Sequence, residues 1–345
     1  MTAESTPFTR LVDRIRDIGV ALHRDTLLRN ARCNAPSAKR TVKQLPALDA
    51  KKRRSAIVLS AGPSIRRKKQ IDRLLAFGYE GSIIAADGAY AACLRAGLIP
   101  DFVVTLDPHS TRLIRWFGDP HFERSLAKDD YFSRQDLDVD ARKNAIKRNL
   151  DDFELINRHA PRTKAIVASS APENVVARIA EAGFETYWFH PLVDDPTKPG
   201  SITRALYEIQ PLPCISTGGT VGTAAWVFAM QILKPEVLAV AGMDLGYYAD
   251  LKIEHTQTYY ELLTEVDGDV ERVKDYFVHV EFPLTRETFF TDPTYFWYRK
   301  NFLHLAKRAP MRTLNCTEAG TLFGENIDCV SLDEFFARSK EPALG

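Results

Sequence analysis

The chain has 345 residues, of which 45% are hydrophobic and 26% are charged, and its formal net charge is +1. This length suits one large α/β domain or two smaller ones, and the balanced charge provides no overall field that would attract nucleic acid or anionic lipid. No apolar run is long enough to span a bilayer, the N-terminus lacks a secretory signal pattern, and the five cysteines are scattered without CxxC spacing. We therefore expect a cytoplasmic protein without a transmembrane segment.

Residues 1–50 are predicted to form a separate N-terminal piece. Leu11 to Leu28 carries apolar residues at helical spacing among arginines, and a basic, proline-containing connector follows. The helix is interpreted as packing on the outside of the main domain, with a partner- or membrane-surface helix as the alternative.

From residue 51 to 345 the pattern predicts a Rossmann-like, doubly wound α/β domain with a mainly parallel sheet and helices on both faces. Short apolar strands alternate with helices, which is typical of this architecture. Strands are expected at Ala56–Ser60, Ser82–Ala86, Phe102–Leu106, Ala165–Ser169, Thr186–Phe189, Val237–Gly242 and Arg312–Asn315. A polar stretch near 119–160 is predicted to be an insertion. Ligands of such sheets bind at the carboxyl ends of the strands.

Two glycine-containing turns precede predicted helices. Gly62, Pro63 and Ser64 follow the first strand, and a phosphate at the helix N-terminus and a tight turn with Ser64 as N-cap are both compatible with them. Gly218, Gly219 and Thr220 form the second turn, in which glycines allow close backbone approach and the threonine offers a hydroxyl. Neither turn has the GxGxxG or P-loop pattern.

Acidic residues follow three of the strands. Asp87 can cap the next helix, Asp107 can hold Mg²⁺ or bind a ribose, and Asp244 lies in a Gly-x-Asp-x-Gly turn. His255 follows among several tyrosines and is compatible with a general base or with an ordinary surface histidine. Asn315, Thr317 and Glu318 end a late strand, where they could contact a nucleobase or ribose or could simply shape the turn.

Six motifs in this order resemble one family, the 6-hydroxymethylpterin pyrophosphokinase-like (MptE-like) domain, in the branch shared with bacterial motility-associated-factor (Maf) flagellin glycosyltransferases. They are the GPS turn, AADGA, PDFVVTLDP, TGGTVGTAA, AGMDLGY and NCTEAG, and the resemblance covers roughly Ala56 to Phe335. The Maf branch is similar in its Leu-Asp-Pro strand end, its Gly-Gly-Thr-Val turn, its Gly-x-Asp-Leu-x-Tyr turn followed by a histidine, and its Asn-x-Thr-Glu-x-Gly segment. The pyrophosphokinases differ in having an aspartate where Thr105 stands and an HGDN segment, which is absent here.

The resemblance implies a transferase, with a glycosyltransferase favoured over a diphosphokinase. Its donor would be a CMP-activated nonulosonic acid, used in surface glycan or flagellin glycosylation. The two glycine turns would hold the donor, Asp107 and Asn315 would position the nucleotide, and His255 would act as base or acid. The alternatives are an MptE-like diphosphokinase that transfers pyrophosphate from ATP to a pterin-like alcohol with Mg²⁺ at Asp107, and a non-catalytic nucleotide-binding protein in polysaccharide assembly. The acceptor stays open among a glycan, a lipid-linked sugar, a protein and a pterin.

Overall fold

The computed structural model describes residues 6–122, 124 and 139–340. In it, nine strands form one sheet in the order β12-β11-β7-β1-β2-β3-β4-β5-β6, and every neighbouring pair is parallel. Three further strands form a small antiparallel sheet in the order β8-β10-β9. The strands are β1 Ser55–Leu59, β2 Ser82–Ala86, β3 Phe102–Thr105, β4 Lys164–Ala168, β5 Glu185–Leu192, β6 Cys214–Ser216, β7 Val237–Ala241, β8 Tyr247–Tyr248, β9 Val278–Glu281, β10 Thr288–Thr291, β11 Thr313–Asn315 and β12 Ile327–Cys329.

The doubly wound architecture expected from the sequence is confirmed. The chain builds the sheet from β1 outward to β6 and then crosses back to place β7 on the other side of β1. The strand order therefore reverses between β1 and β7. Such a switch point leaves a crevice at the carboxyl ends of the two strands, because their following turns leave in opposite directions.

Helices cover both faces of the large sheet. Their bounds are Pro7–Asn34, Ala50–Arg54, Ser64–Arg67, Gln70–Phe77, Asp87–Arg95, Ser110–Leu113, Val139–His159, Glu173–Glu181, Ile202–Ile209, Val221–Phe228, Tyr259–Glu265, Val270–Val273, Pro293–Ala306 and Leu332–Lys340. A π-helical turn, Ala229–Leu233, extends the helix Val221–Phe228.

The strands are buried on both faces, which explains their nearly continuous apolar sequences. Val58 and Ile84 pack on one side with the helix Val221–Phe228. Ile57 and Ile83 point to the other side, where the helices Gln70–Phe77 and Leu332–Lys340 lie. The helix Val221–Phe228 is apolar all round because it is enclosed between the sheet and the helix Pro293–Ala306, where the rings of Trp226 and Phe302 pack with their centroids 4.7 Å apart.

The N-terminal helix, Pro7–Asn34, lies against the main domain at the carboxyl end of β4. Asn34 donates hydrogen bonds to the carbonyl oxygens of Ser169 at 2.9 Å and Ala171 at 2.7 Å, and Asn30 donates to the carbonyl of Ser170 at 2.9 Å. The connector then runs along the sheet, where the backbone N–H of Trp188 donates to the carbonyl of Arg40. The N-terminal piece is thus in contact with the edge of the sheet that the sequence predicts to bind ligand.

The region predicted as a polar insertion near 119–160 is only partly described, since residue 123 and residues 125–138 lie outside the described part. Its second half is the helix Val139–His159, which lies between β3 and β4 in the chain and packs on the helix Asp87–Arg95. Arg95 donates to Asp152 at 2.6 Å, and the Asn149 amide exchanges hydrogen bonds with the backbone of Asp119.

In residues 6–122 and 139–340, no helix is both long enough and apolar enough to cross a bilayer.

Candidate functional site at the strand order reversal

The turns after β1 and β7 lie side by side at the switch point. Ser60 donates its N–H to the carbonyl of Ala241 at 2.9 Å, and Gly62 donates to the carbonyl of Gly242 at 2.9 Å. The parallel ladder therefore continues beyond both strands into the turns. This pairing places the GPS turn and the Gly-Met-Asp turn, which are far apart in sequence, on the same crevice.

Asp244 holds the GPS turn in place. The Ser64 hydroxyl donates to one carboxylate oxygen at 2.6 Å, and the Ser64 N–H donates to the other at 3.3 Å. Asp244 is buried, and this burial raises its pKa to about 6, although the bonds from Ser64 oppose the shift. Pro63 occupies the N-cap position, so Ser64 contributes through Asp244 and does not cap the helix itself.

The second glycine turn leads into the helix Val221–Phe228, which begins at the same crevice. Gly218 and Gly219 have φ of 56° and 91°, a region that side-chain-bearing residues rarely adopt, and a Cβ on Gly219 would lie 2.3 Å from the Trp297 ring. Thr220 caps the helix by accepting from the Thr223 N–H at 3.1 Å. The turn is therefore fixed by the helix Pro293–Ala306 on one side and by its own cap on the other.

Gly222 brings this helix against the end of β1. A Cβ added there would lie 2.7 Å from Ser60 Oγ and 3.1 Å from Met243 Cε. Although β6 lies at the outer edge of the sheet, the helix that follows it crosses β3, β2 and β1. Three of the predicted turns thus meet at one place.

Asp87 and Asp107 follow the neighbouring strands β2 and β3. Asp87 accepts from the Thr105 hydroxyl at 3.0 Å and from the Gly88 N–H at 2.7 Å, while Asp107 accepts from the His109 N–H at 2.8 Å. Burial raises the pKa of Asp87 to about 7, and the negative charge of Asp107 adds to this shift. The two carboxyl groups are therefore close enough to influence each other.

Mg²⁺ in nucleotide sites takes one or two carboxylates and completes its coordination shell with phosphate and water. Asp107 and Asp87 would hold it. Among residues 6–122 and 139–340 there is no cluster of three or more His, Cys, Asp and Glu side chains that could form an all-protein metal site.

The predicted residues at the end of β11 and just after it also reach this edge, but their polar atoms bond within the protein. The Asn315 side chain donates to the carbonyl of Leu322 at 2.6 Å and accepts from the Thr317 N–H at 3.0 Å. The Thr317 hydroxyl accepts from the Met243 N–H, so this loop supports the turn after β7. Glu318 pairs with Arg73 at 2.9 Å and lies to the side.

His255 has an exposed side chain on the segment that follows β8. Buried Asp292 anchors that segment, because it accepts from the Thr258 and Tyr247 hydroxyls, both at 2.7 Å. The Tyr247 oxygen also accepts from the Gln257 N–H. Burial raises the pKa of Asp292. The histidine is thus exposed to solvent while its neighbours are fixed.

The N-terminal helix forms a wall of the site that the sequence did not indicate. The rings of His23 and His109 meet edge to face with centroids 4.8 Å apart, and Asn30 donates to the carbonyl of Pro108 at 3.3 Å. The sequence does carry one signal for this contact, because Asn30 and Asn34 are one helical turn apart and at helical spacing from the apolar Leu27 and Ala31. Ser60 was also missed, because it looks like the last residue of an ordinary strand.

Two cavities, of about 410 and 460 Å³, lie at the opposite end of the sheet. They flank the π-helical turn and are lined by residues such as Lys43, Arg53, Lys234 and Arg308. Arg53 and Lys234 lie just before β1 and β7, at the amino ends of these strands, so neither cavity belongs to the crevice described above.

Comparison with known proteins agrees with the motifs. Residues 25–118 match the family model described as 6-hydroxymethylpterin diphosphokinase MptE-like. The resemblance to the MptE-like family is confirmed. A stretch of 93 residues is 34% identical to an uncharacterized protein of Treponema pallidum (strain Nichols). The fold is similar to that of a Maf glycosyltransferase from Magnetospirillum magneticum AMB-1, with a TM-score of 0.53 and 15% sequence identity over 88% of this chain.

The MptE-like segment carries only part of the site. It includes the end of the N-terminal helix, the GPS turn, Asp87 and Asp107, whereas the second glycine turn, Asp244, His255 and Asn315 lie beyond residue 118. The matched stretches cover 42% of the Treponema protein and 38% of the Magnetospirillum chain. At this level of identity the Maf structure establishes the shared fold alone.

Proposed function

We propose that this protein is a transferase that uses a nucleotide-activated donor, and that it is a glycosyltransferase with a CMP-activated nonulosonic acid as donor. The observation that carries the proposal is the meeting of the two glycine turns and the Asp244 turn at the point where the strand order reverses. A phosphate fits there because the N-terminus of the helix Val221–Phe228 supplies backbone N–H groups and a positive dipole end. The fold shared with a Maf glycosyltransferase supports the choice of reaction.

In this proposal the donor phosphate occupies the crevice between the GPS turn and Gly222. The nucleoside extends toward the ends of β2 and β3, where Asp107 accepts hydrogen bonds from ribose hydroxyls. Asn315, Thr317 and Asp244 act indirectly, because they hold the turns that surround the crevice in place. Because these residues bond to the protein itself, they determine the shape of the crevice and do not need to touch the donor.

His255 is proposed to remove the proton from the acceptor hydroxyl. The acceptor oxygen then attacks the anomeric carbon, the bond from that carbon to the phosphate oxygen breaks, and the electron pair leaves with CMP. Exposure suits this role, since the acceptor must approach from solvent. The acceptor is proposed to be a glycan, a lipid-linked sugar or a protein.

The test is a thermal-shift titration with CMP, CTP, UDP, GDP and ATP, each with and without Mg²⁺. A ligand that binds only the folded state raises the melting temperature by mass action. The proposal predicts a shift with CMP that does not require metal, together with release of CMP from a CMP-sialic-acid-like donor in the presence of a suitable acceptor. A protein that responds only to ATP with Mg²⁺ would refute it.

The second candidate is an MptE-like diphosphokinase, which the family-model match and the adjacent Asp87 and Asp107 favour. It would transfer pyrophosphate from ATP to a pterin-like alcohol, with Mg²⁺ offsetting the charge of the triphosphate. This candidate predicts ATP binding that depends on Mg²⁺ and is lost in Asp107→Asn. The third candidate, a non-catalytic nucleotide-binding protein in polysaccharide assembly, predicts nucleotide binding without donor breakdown under any acceptor.

A further inference from the structure

The hydroxyl group of Ser60 is buried against the start of the helix Val221–Phe228, and it has no hydrogen-bond partner in the described part of the chain. Ser60 is 8% exposed, and its backbone is fixed by the bond from its N–H to the carbonyl of Ala241. Leaving a buried hydroxyl unpaired costs about 1–3 kcal/mol, so such groups call for an explanation. A ligand that supplies the missing partner would be one.

The Ser60 oxygen lies against the first turn of the helix Val221–Phe228, as the 2.7 Å distance to a Cβ built on Gly222 indicates. In that turn the Thr223 N–H is bonded to the Thr220 hydroxyl and the Ala224 N–H to the Thr220 carbonyl. The N–H groups of Val221 and Gly222 come before the first position that can bond within the helix. The unpaired Ser60 hydroxyl therefore lies next to the N-terminal end of the helix Val221–Phe228. We call this place, formed by Ser60 and Gly222, the corner.

We propose that Ser60 Oγ and the N–H of Gly222 together bind an oxygen of the donor phosphate. This inference rests on the proposed function in that it takes the crevice to be the donor site, and it identifies a contact residue within it. The hydroxyl donates to the phosphate oxygen, and the helix end contributes its partial positive charge. A side chain at Gly222 would collide with Ser60 Oγ and Met243 Cε, so only glycine lets the helix begin this close to the hydroxyl.

Ser170 provides a matched control. Its hydroxyl is also buried and unpaired in the described structure, and it follows β4, a strand of the same sheet that is separated from β1 by β2 and β3. Its carbonyl, however, is bonded to Asn30 of the N-terminal helix, which covers this position. Ser170→Ala therefore removes the same chemical group at the same edge of the sheet but outside the proposed corner.

The experiment compares the wild-type protein with Ser60→Ala and Ser170→Ala. Isothermal titration calorimetry measures the affinity for CMP, cytidine and inorganic pyrophosphate, and urea unfolding measures stability without ligand. We expect Ser60→Ala to weaken CMP and pyrophosphate binding about tenfold or more, because a hydrogen bond to a charged group is lost. Cytidine binding stays unchanged, stability without ligand does not fall, and Ser170→Ala binds all three probes as the wild type does.

The inference is overturned if Ser60→Ala binds CMP or pyrophosphate as tightly as the wild type, or if its only effect is a loss of stability. Wild-type protein that binds pyrophosphate through Ser60 but no nucleotide would contradict the proposed function and retain the anion site. If the wild type and Ser60→Ala bind CMP equally well, the proposed function stands and the proposed contact with Ser60 is wrong. Absence of both kinds of binding would reject both.

Discussion

The loop after β11 and the corner at Ser60 lie at the same edge of the sheet, and both are polar. In the loop, the Asn315 amide bonds to Leu322 and Thr317 through both of its polar atoms, and Glu318 pairs with Arg73. At the corner, the Ser60 hydroxyl has no partner in the described residues. The polar atoms of the loop therefore bond to other parts of the protein and shape the crevice, whereas the Ser60 hydroxyl at the corner has no such bond.

This contrast separates two reasons for a polar residue at a strand end. A buried polar group with internal partners stabilises the folded chain, and its removal leaves those partners unsatisfied. A buried polar group without partners lowers stability, so its removal harms binding and not folding. Stability and affinity measured on the same variants therefore distinguish the two regions.

The largest expected change in stability follows from substitution of Asn315. Asn315→Ala leaves the Leu322 carbonyl and the Thr317 N–H without their partners inside the protein, so we expect the free energy of unfolding to fall by about 4 kcal/mol. Urea denaturation measures this, with Ser60→Ala as the variant that should not lose stability. Unchanged stability with lost nucleotide binding would show that Asn315 contacts the ligand and would break the contrast.

Asp87 is expected to make stability depend on pH. Its pKa is about 7 in the folded protein, against an ordinary value of 3.8, so between about pH 4 and 7 the unfolded chain holds fewer protons at this group. The contribution to the free energy of unfolding therefore falls by about 2–4 kcal/mol as pH rises through this window, and changes no further above it.

Urea denaturation between pH 4.5 and 7.5 measures this slope, and Asp87→Asn should remove it. Asp107→Asn is the control, because loss of its negative charge should lower the pKa of Asp87 and narrow the window without abolishing it. If Asp87→Asn leaves the pH profile as it is in the wild type, Asp87 is not the group responsible.

Asn34 tests whether the N-terminal helix is a fixed wall of the site. Asn34→Ala removes two buried hydrogen bonds to the chain after β4, and we expect a loss of about 1–3 kcal/mol together with faster hydrogen exchange in Pro7–Asn34. Arg29→Ala, an exposed position on the same helix, should change stability by less than about 0.5 kcal/mol. Equal exchange in both variants would mean that Asn34 does not hold the helix.

Substitution of His255 is expected to change stability least, although it should change activity greatly. Because its side chain is exposed, His255→Ala should alter the free energy of unfolding by less than about 0.5 kcal/mol and leave CMP binding intact. Transfer should be abolished if the histidine removes the acceptor proton. A variant with normal transfer would remove His255 from the mechanism.

Much of the large sheet could be predicted from the sequence because its strands are short apolar runs between helices. The prediction for β2 has the observed bounds, and those for β1 and β7 end one residue late. The antiparallel sheet was missed because β8 has only two residues and β9, Val278–Glu281, alternates between half-buried and exposed positions. A strand so weakly apolar is fixed by its partners and not by its own sequence.

The position of the site could also be predicted, since carboxyl ends of parallel strands share one edge. The roles of the individual residues in the site could not be predicted, because they depend on which polar atoms form hydrogen bonds in the folded chain. Ser60 and Ser64 are four residues apart and both are buried, yet only Ser64 meets a carboxylate, that of Asp244, from the other side of the switch point. That contact joins residues 180 positions apart in the chain.

The central claim, that the crevice between β1 and β7 binds the donor phosphate, is tested most directly by a crystal structure of the protein with CMP. We predict that the phosphate lies within hydrogen-bond distance of Ser60 Oγ and the Gly222 N–H, with the ribose near Asp107. A phosphate bound instead among Lys43, Arg53 and Lys234, at the opposite end of the sheet, would contradict the account.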